Sequence, residues 1–351
     1  MLKSRANIKD VARRAGVHPS TVSRVLNPAT RSMVSEALAT KILRIAEELG
    51  YRRNPLASGL RTRKTFTVGV VIPDITNPVF PPIVRAVEHT LDEEGYIAIL
   101  ADSGSKRRSE KALIENMKAR QVDGLILAAA NRKDQLVDSC IDQGIPVVLV
   151  NRSVEKHNVS AVINDDELGI DLAFQHLVDK GHREIAYIGG PQRTSTGYTR
   201  YRAFMKSAKK AGLNIDRELV INAREFTEPA GQAAFAEIAR TGKNLSAVLT
   251  ANDLLALGVF DALRELGMKC PRDISVTGFN DMPYVDRFVP PLTTVHIPLD
   301  DLGVQAAKLL LEKIENPDAP TKQVRLEPRL IVRGSTATIK ATQAKSGNRV
   351  A

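Results

Sequence analysis

A chain of 351 residues is long enough for two or three domains with sizeable cores. Its two cysteines, Cys140 and Cys270, exclude a disulfide-built secreted scaffold, and no apolar run reaches membrane-spanning length. The net charge of +10 is confined to residues 1–64, which hold 14 of the 50 Lys and Arg and 4 of the 40 Asp and Glu; the other 36 bases and 36 acids cancel. Such a basic segment on a neutral body is the electrostatic footprint of a small DNA-binding domain. A membrane-surface helix would need a broad apolar face with Trp or Phe anchors, and this stretch has neither. Met1–Asn7 carries no apolar signal segment, so the expected location is the cytoplasm, at the nucleoid.

Asn7 is a helix N-cap candidate, and Ile8, Val11 and Ala12 follow at helical spacing up to a stop at Gly16. Pro19 restarts a helix, because its missing N–H would be unpaired at a first helical position. Val22, Val25 and Leu26 form the buried stripe of that second helix. Two short helices joined by a tight turn are a helix-turn-helix, whose second helix enters a DNA major groove. Its outward face offers Ser20, Thr21, Ser23 and Arg24; a guanidinium there suits the acceptor pair of guanine. Pro19 has no donor and is restricted to apolar contact. Ser20 and Arg24 are therefore the expected base readers, with Asn7, Thr21, Ser23 and Asn27 positioning the phosphate backbone. A third helix is expected over Met33–Gly50, with Val34, Leu38, Ile42, Ile45, Ala46 and Leu49 as its apolar stripe. Asn27–Val34 reads as a loop.

The run Ile8 to Val17, then Thr21 to Asn27, Val34-Ser35, Leu49-Gly50-Tyr51 and Asn54-Pro55-Leu56-Ala57 resembles the headpiece of the lactose-repressor/galactose-repressor family. The resemblance continues through most of the chain. Asn27–Val34 is about two residues longer than the family pattern, and His18 stands where Ser is usual. Alone, Tyr51–Lys64 reads as a basic linker, since so short a helix containing Gly59 is marginal. The resemblance implies more: a hinge helix from each subunit of a dimer, with Asn54, Ala57 and Leu60 on one face and Leu60 wedged into a minor-groove step.

From Phe66 the sequence alternates strands and helices. Apolar, β-branched runs recur at Phe66–Ile72, Tyr96–Leu100, Gly124–Ala128, Pro146–Val150 and Ser160–Ile163. A second series follows at Glu184–Ile188, Glu218–Ile221, Ser246–Leu249 and Ile274–Gly278. Amphipathic helices lie between them, at Ile83–Glu94, Glu110–Arg120, Leu168–Lys180, Tyr201–Ala211 and Leu254–Leu266. The expected architecture is an all-α helix-turn-helix headpiece plus an α/β body of two doubly wound parallel-sheet subdomains, periplasmic-binding-protein-like. The boundaries are 1–50 for the headpiece, 51–65 for the hinge, 66–340 for the body and 341–351 for a flexible tail. Within the body, one subdomain takes about 66–165 and 297–326, the other about 166–294 and 327–340. In the family the chain crosses three times, here near Asp165, Thr294–Pro298 and Glu327, and Leu299–Ile314 returns to the first subdomain.

Ligands bind beyond the carboxyl ends of parallel strands. Those ends carry Asn77 and Phe80, Asp102 and Ser103, Asn151 and Arg152, Gly190-Pro191, Asn252-Asp253 and Asn280-Asp281. Taken singly, such residues are solvated loop positions or helix caps, as Asn252 and Asp165 illustrate. Asn77-Pro78-Val79-Phe80, Arg202-Ala203-Phe204, Thr250-Ala251-Asn252-Asp253, Gly278-Phe279-Asn280-Asp281 and Pro290-Pro291-Leu292-Thr293-Thr294 resemble family motifs. That likeness implies an effector cleft lined by Asn77, Phe80, Asn151, Arg202, Asn252 and Asn280, with Asp281 as a neighbour. Asn280 stands where relatives often have Asp, so one charge is missing.

No catalytic constellation is legible. The six histidines are scattered, and His176 and His182 suit a helix C-terminus. No Gly-x-Ser-x-Gly elbow occurs. Gly189–Gly197 lacks the Lys-Ser/Thr of a phosphate loop. No cofactor and no metal are expected, and the chain does not read as an enzyme. The tail after Gly334 has no leucine heptad, so a homodimer reading a pseudo-palindromic double-stranded operator is expected. The resulting function is a transcriptional repressor switched by a sugar or sugar derivative. A transport-type sugar-binding protein is the competing class, and a purine or nucleoside the competing effector.

Overall fold

The computed structural model describes residues 6–26, 28–51, 64–104, 107–156 and 158–339. Two compact units divide between Thr65 and Phe66.

In the first unit, α1 (Ile8–Ala15) begins at a capping box. Asn7 Oδ1 accepts from the Lys9 and Asp10 amides at 2.9 and 3.3 Å, and the Asp10 carboxylate accepts from the Asn7 amide at 3.0 Å. Gly16 ends α1 at φ 72°, a conformation glycine adopts without steric cost. The second helix, α2 (Pro19–Val25), is capped by His18, whose Nδ1 accepts from the Ser20 amide at 3.3 Å. A short α3 (Pro28–Arg31) occupies what reads in sequence as loop, and Thr30 Oγ1 donates to the Arg24 carbonyl across it at 3.0 Å. Then α4 (Glu36–Glu48) starts three residues later than the apolar pattern suggests, because the chain enters it through Ser35 in an extended conformation. Val11, Ala12, Ala15, Val22, Val25, Ala39, Ile42, Ile45 and Ala46 form the core; Val34, Leu38 and Leu49 are only partly buried against it.

The second unit contains two six-stranded sheets. The first has the order β11-β5-β4-β3-β1-β2, from β1 (Thr67–Ile72), β2 (Ile97–Asp102), β3 (Gly124–Leu127), β4 (Val147–Val150), β5 (Ser160–Asn164) and β11 (Gln323–Leu326). The second has the order β12-β10-β9-β8-β6-β7, from β6 (Ile185–Gly189), β7 (Val220–Asn222), β8 (Ala247–Thr250), β9 (Ser275–Asn280), β10 (Thr293–His296) and β12 (Arg329–Ile331). Central strands β3, β4, β8 and β9 are buried along their whole length, while edge strands β2 and β11 contain no fully buried residue. That is the pattern of sheets covered on both faces. The pairings are parallel except for β10 with β12, an edge position where an antiparallel strand is common.

The helices are α5 (Phe80–Glu93), α6 (Arg107–Ala119), α7 (Gln135–Asp142), α8 (Asp166–Asp179), α9 (Ser195–Lys210), α10 (Glu228–Arg240), α11 (Asp253–Glu265) and α12 (Leu299–Glu315). Helix α10 is absent from the sequence reading, because its Ala-rich sequence shows only a weak apolar stripe. The chain passes from the first sheet to the second between Asn164 and Asp166, returns between His296 and Leu299, and passes again between Leu326 and Arg329. On its return α12 seats Gly303 against α5, where an added Cβ would stand 2.4 Å from the Ile83 carbonyl oxygen. The stretch after Gly334 is docked as far as Ile339. Ser335 Oγ donates to the Val276 carbonyl, and buried His182 bridges Ser246 Oγ and the Ala337 carbonyl. Burial lowers His182 to about 4, so it packs as a neutral ring.

Candidate functional site

In the first unit, the α2 face opposite Val22 and Val25 carries the candidate DNA readers. Ser20 and Arg24 are exposed one helical turn apart, and Pro19, Thr21 and Ser23 are half-buried beside them. The Arg24 guanidinium has no protein partner among the described residues. Ser20 Oγ lies 2.8 Å from His18 Nδ1, so the His18 ring also orients that hydroxyl. Asn7 commits its side-chain oxygen to the capping box and keeps its amide N–H donors. Asn27, Asn54, Ala57 and Leu60 lie outside the described residues.

In the second unit, the carboxyl ends of strands from both sheets converge on a cleft. Its inner end, 30 Å³, is lined by Asn77, Phe80, Asn151, Arg152, Thr196, Arg200, Phe226, Asn252 and Asn280. A wider outer part of 670 Å³ adds Asp74, Ser103, Glu110, Lys133, Arg193 and Glu225, within the usual size of a small-molecule site. The first sheet supplies Asn77, Phe80, Asn151 and Arg152; the second supplies Arg200, Phe226, Asn252 and Asn280. Two of these strand ends are strained. Asn151 follows β4 at φ 64°, and Asn280 ends β9 at φ 114°. Such geometry is sparsely populated outside glycine and concentrates at functional sites.

Arg200 is 2% exposed. Its Nε and Nη2 both reach Asp166 Oδ1 at 2.9 Å, and Nη1 donates to the Ala251 carbonyl at 2.7 Å and to Asn280 Oδ1 at 3.4 Å. The guanidinium also lies over the Phe279 ring, 3.8 Å from its centroid. Burial pushes the Asp166 carboxyl above its ordinary value, against the pull of Arg200. Because Asp166 opens α8 directly after the first crossing, this pair ties the cleft to the segment joining the two sheets. Arg152 donates Nη1 to the Ala129 carbonyl at 3.2 Å, while its buried Nε has no partner. Burial, then repulsion from Arg193, lowers Arg152 to about 10. Asn252 caps α11 through Oδ1, accepting from the Leu255 amide at 2.9 Å, and lines the cleft as well.

Two sequence-read cleft residues lie elsewhere. Arg202 is exposed, 5.7 Å from the Tyr198 ring. It stands two residues from Arg200, about 200° around the helix, so the cleft takes Arg200 instead. Asp281 is bonded to His296 Nδ1 at 3.1 Å and Arg333 Nη2 at 2.7 Å, outside the cleft lining. Arg152, read in sequence as a strand-end neighbour of Asn151, lines the cleft; sequence reasoning missed Thr196, Arg200 and Phe226. A usable signal existed for two of them. Thr194 caps α9 through the Gly197 amide, which starts the helix at Ser195 rather than Tyr201 and puts Thr196 and Arg200 on the inward face with Ala203 and Phe204.

A helix-turn-helix unit and a two-sheet cleft body in one chain define the class of ligand-responsive DNA-binding regulators. Residues 7–54 match bacterial regulatory proteins of the lacI family, and residues 174–336 match a periplasmic binding protein-like domain. The chain is 34% identical to the ribose operon repressor of Escherichia coli (strain K12) over 94% of this chain and 99% of that protein. It is similar to the transcriptional regulator CelR in its cellobiose complex, with 32% identity and a TM-score of 0.73 over 94% of this chain and 100% of that one. It is also similar to the lac repressor dimer bound to operator and the anti-inducer ONPF, with 26% identity and a TM-score of 0.85 over 95% and 100% of the two chains. The chain belongs to the lacI family of bacterial regulatory proteins. Its role is regulatory, exercised on DNA through the helix-turn-helix. Among the described residues, no helix is long and apolar enough to cross a membrane.

Proposed function

We propose that this protein is a non-catalytic, cytoplasmic transcriptional repressor that binds a pseudo-palindromic operator as a homodimer and changes its operator affinity when a sugar-like effector occupies the cleft. The observation carrying this reading is the cleft, where strand ends from both sheets present amides, a buried arginine and two phenylalanines to one small volume. A ligand touching both subdomains prefers one closure of the body over others, and that preference is the free energy available for switching. The relatives support it: one is a ribose operon repressor, another is a complex with cellobiose.

In this reading Ser20 and Arg24 contact bases. Asn7, Thr21, Ser23 and Asn27 position the phosphate backbone, and Leu60 wedges the minor groove at a hinge formed with Asn54 and Ala57. Dimerisation suits the apolar side chains left exposed, Ile97 and Leu100 on edge strand β2 and Tyr284 and Val289 after β9.

The test is operator selection from randomised duplex DNA with the full-length protein, followed by anisotropy titrations with and without a panel of small polar molecules. A two-fold symmetric consensus whose affinity shifts with one compound is the expected result. Binding that ignores sequence, or a specific site unaffected by any panel member that calorimetry shows to bind, would overturn the reading.

A further inference from the structure

The inner cleft is lined by donors. Asn77 Oδ1 accepts from the Val79 amide at 3.1 Å, and Asn252 Oδ1 accepts from the Leu255 amide at 2.9 Å. Asn280 Oδ1 accepts from Arg200 Nη1 at 3.4 Å, and Asn151 Oδ1 accepts from Asn164 Nδ2 at 3.5 Å. Each amide thereby engages one lone pair of its oxygen with the protein and keeps its NH₂ group. Those nitrogens have no protein acceptor among the described residues. Arg152 adds a buried, unpartnered Nε–H and forms no ion pair among the described residues. The Asp166 carboxylate that balances Arg200 sits behind it and does not line the inner end.

A neutral sugar fits this set poorly. Its hydroxyls could accept from the N–H groups, but their own protons would find only the Thr196 hydroxyl and the second lone pairs of amide oxygens already engaged, and each buried group left unsatisfied costs about 1–3 kcal/mol. A carboxylate only accepts, and it is most strongly held by a guanidinium. The narrow part shares Asn77, Phe80, Arg152 and Phe226 with the wider part, so a ligand whose terminal group sits among the donors continues outward along the cleft. Acceptors occur in the wider part of the cleft, where the carboxylates of Asp74, Glu110 and Glu225 line it, and Glu110 offsets part of the charge of Arg152.

We propose that the effector is a polyhydroxylated carboxylate, a sugar acid, bound with its carboxylate inward on Arg152 and the asparagine NH₂ groups and its hydroxyl chain toward Asp74 and Glu225. This rests on the reading of the cleft as the effector site and names the ligand class for it.

The experiment is calorimetry of the full-length protein against aldonates and uronates, each beside its neutral aldose and its sugar phosphate. One acid should bind at least tenfold tighter than its neutral parent and its phosphate. Asn280→Asp, which keeps the acceptor for Arg200 and adds a negative charge, should weaken that acid at least tenfold and not weaken the neutral sugar. Arg152→Gln should weaken the acid as well, with circular dichroism and Asn280→Asp separating loss of binding from loss of fold. A neutral sugar or a phosphate binding as tightly as the acid, or Asn280→Asp leaving the acid unaffected, would overturn the sugar-acid assignment and leave the effector cleft standing. No binding by any of the three classes would overturn both.

Discussion

Asp253 gives the sharpest test of the energetics around the cleft. It opens α11 beside Asn252 and is fully buried. One carboxylate oxygen accepts from Thr294 Oγ1 at 2.5 Å and the other from the Met282 amide at 2.8 Å. Burial, helped by repulsion from Asp281, nevertheless raises it from 3.8 to about 7, since hydrogen bonds without a cation offset incompletely the loss of water. The folded protein therefore holds this proton more tightly than the unfolded chain. The resulting stability is fully present below pH 3.8 and is lost as pH rises through about 7. At about 1.4 kcal/mol per pH unit, the whole window is worth about 4 kcal/mol, and the span from about pH 5 to about pH 8.5 about 3 kcal/mol. Asp253→Asn removes the charge, keeps an oxygen for the Met282 amide and turns its NH₂ to the Thr294 hydroxyl. Urea unfolding followed by far-ultraviolet circular dichroism at the two pH values should show the parent losing about 3 kcal/mol relative to the variant. Other titrating groups, His182 among them, cancel in that difference. Parallel pH dependences of the two proteins would refute the argument that Asp253 is buried at this cost.

Other perturbations test other levels of the structure. Gly258→Ala would place a Cβ 2.0 Å from the Glu228 carbonyl oxygen and 2.5 Å from the Gln232 amide nitrogen. Both are backbone, so α10 and α11 must separate, and a loss of about 2 kcal/mol, or about 4–8 °C in the melting temperature of the body, is expected. Asn7→Ala breaks the capping box and should cost the headpiece about 1 kcal/mol, read as a lower headpiece melting midpoint with the body transition unchanged. Arg24→Ala should cost about 1–3 kcal/mol against the selected operator and much less against random duplex. Equal losses on both would make Arg24 a phosphate contact.

The cleft shows why residue type and residue position are separate problems. The motif Arg202-Ala203-Phe204 correctly marks an arginine-bearing helix at the mouth of the second sheet, yet the arginine in the cleft is Arg200. Both are Arg on one helix, whose buried positions Ala203, Phe204 and Ser207 put Arg200 on the inward face and Arg202 on the outer one, and the Thr194 cap carries the helix back far enough to include Arg200. Asn280 and Asp281 pose the same problem at a strand end. The backbone leaves the strand there with φ 114° at Asn280 and 55° at Asp281, and Asp281 is drawn to Arg333, 52 residues away.

Local chemistry determined much of this protein before any contact was known. Asn7, Gly16 and Pro19 delimit the first two helices because capping, left-handed backbone and a missing N–H act within a few residues. The β-branched runs announce parallel strands, because strands buried on both faces have no polar side to alternate with. The location of all the net charge in residues 1–64 points to DNA from composition alone. Tertiary structure decided the rest. Which asparagines keep their NH₂ groups for a ligand depends on the partners their oxygens find, and two of those, Asn164 and Arg200, are distant in sequence. That the Arg152 guanidinium forms no ion pair among the described residues, and that Asp253 is buried without a base, likewise follows from which strand ends meet at the cleft. Hydrogen-bond polarity and desolvation are properties of surroundings, and a sequence states its surroundings only once it is folded.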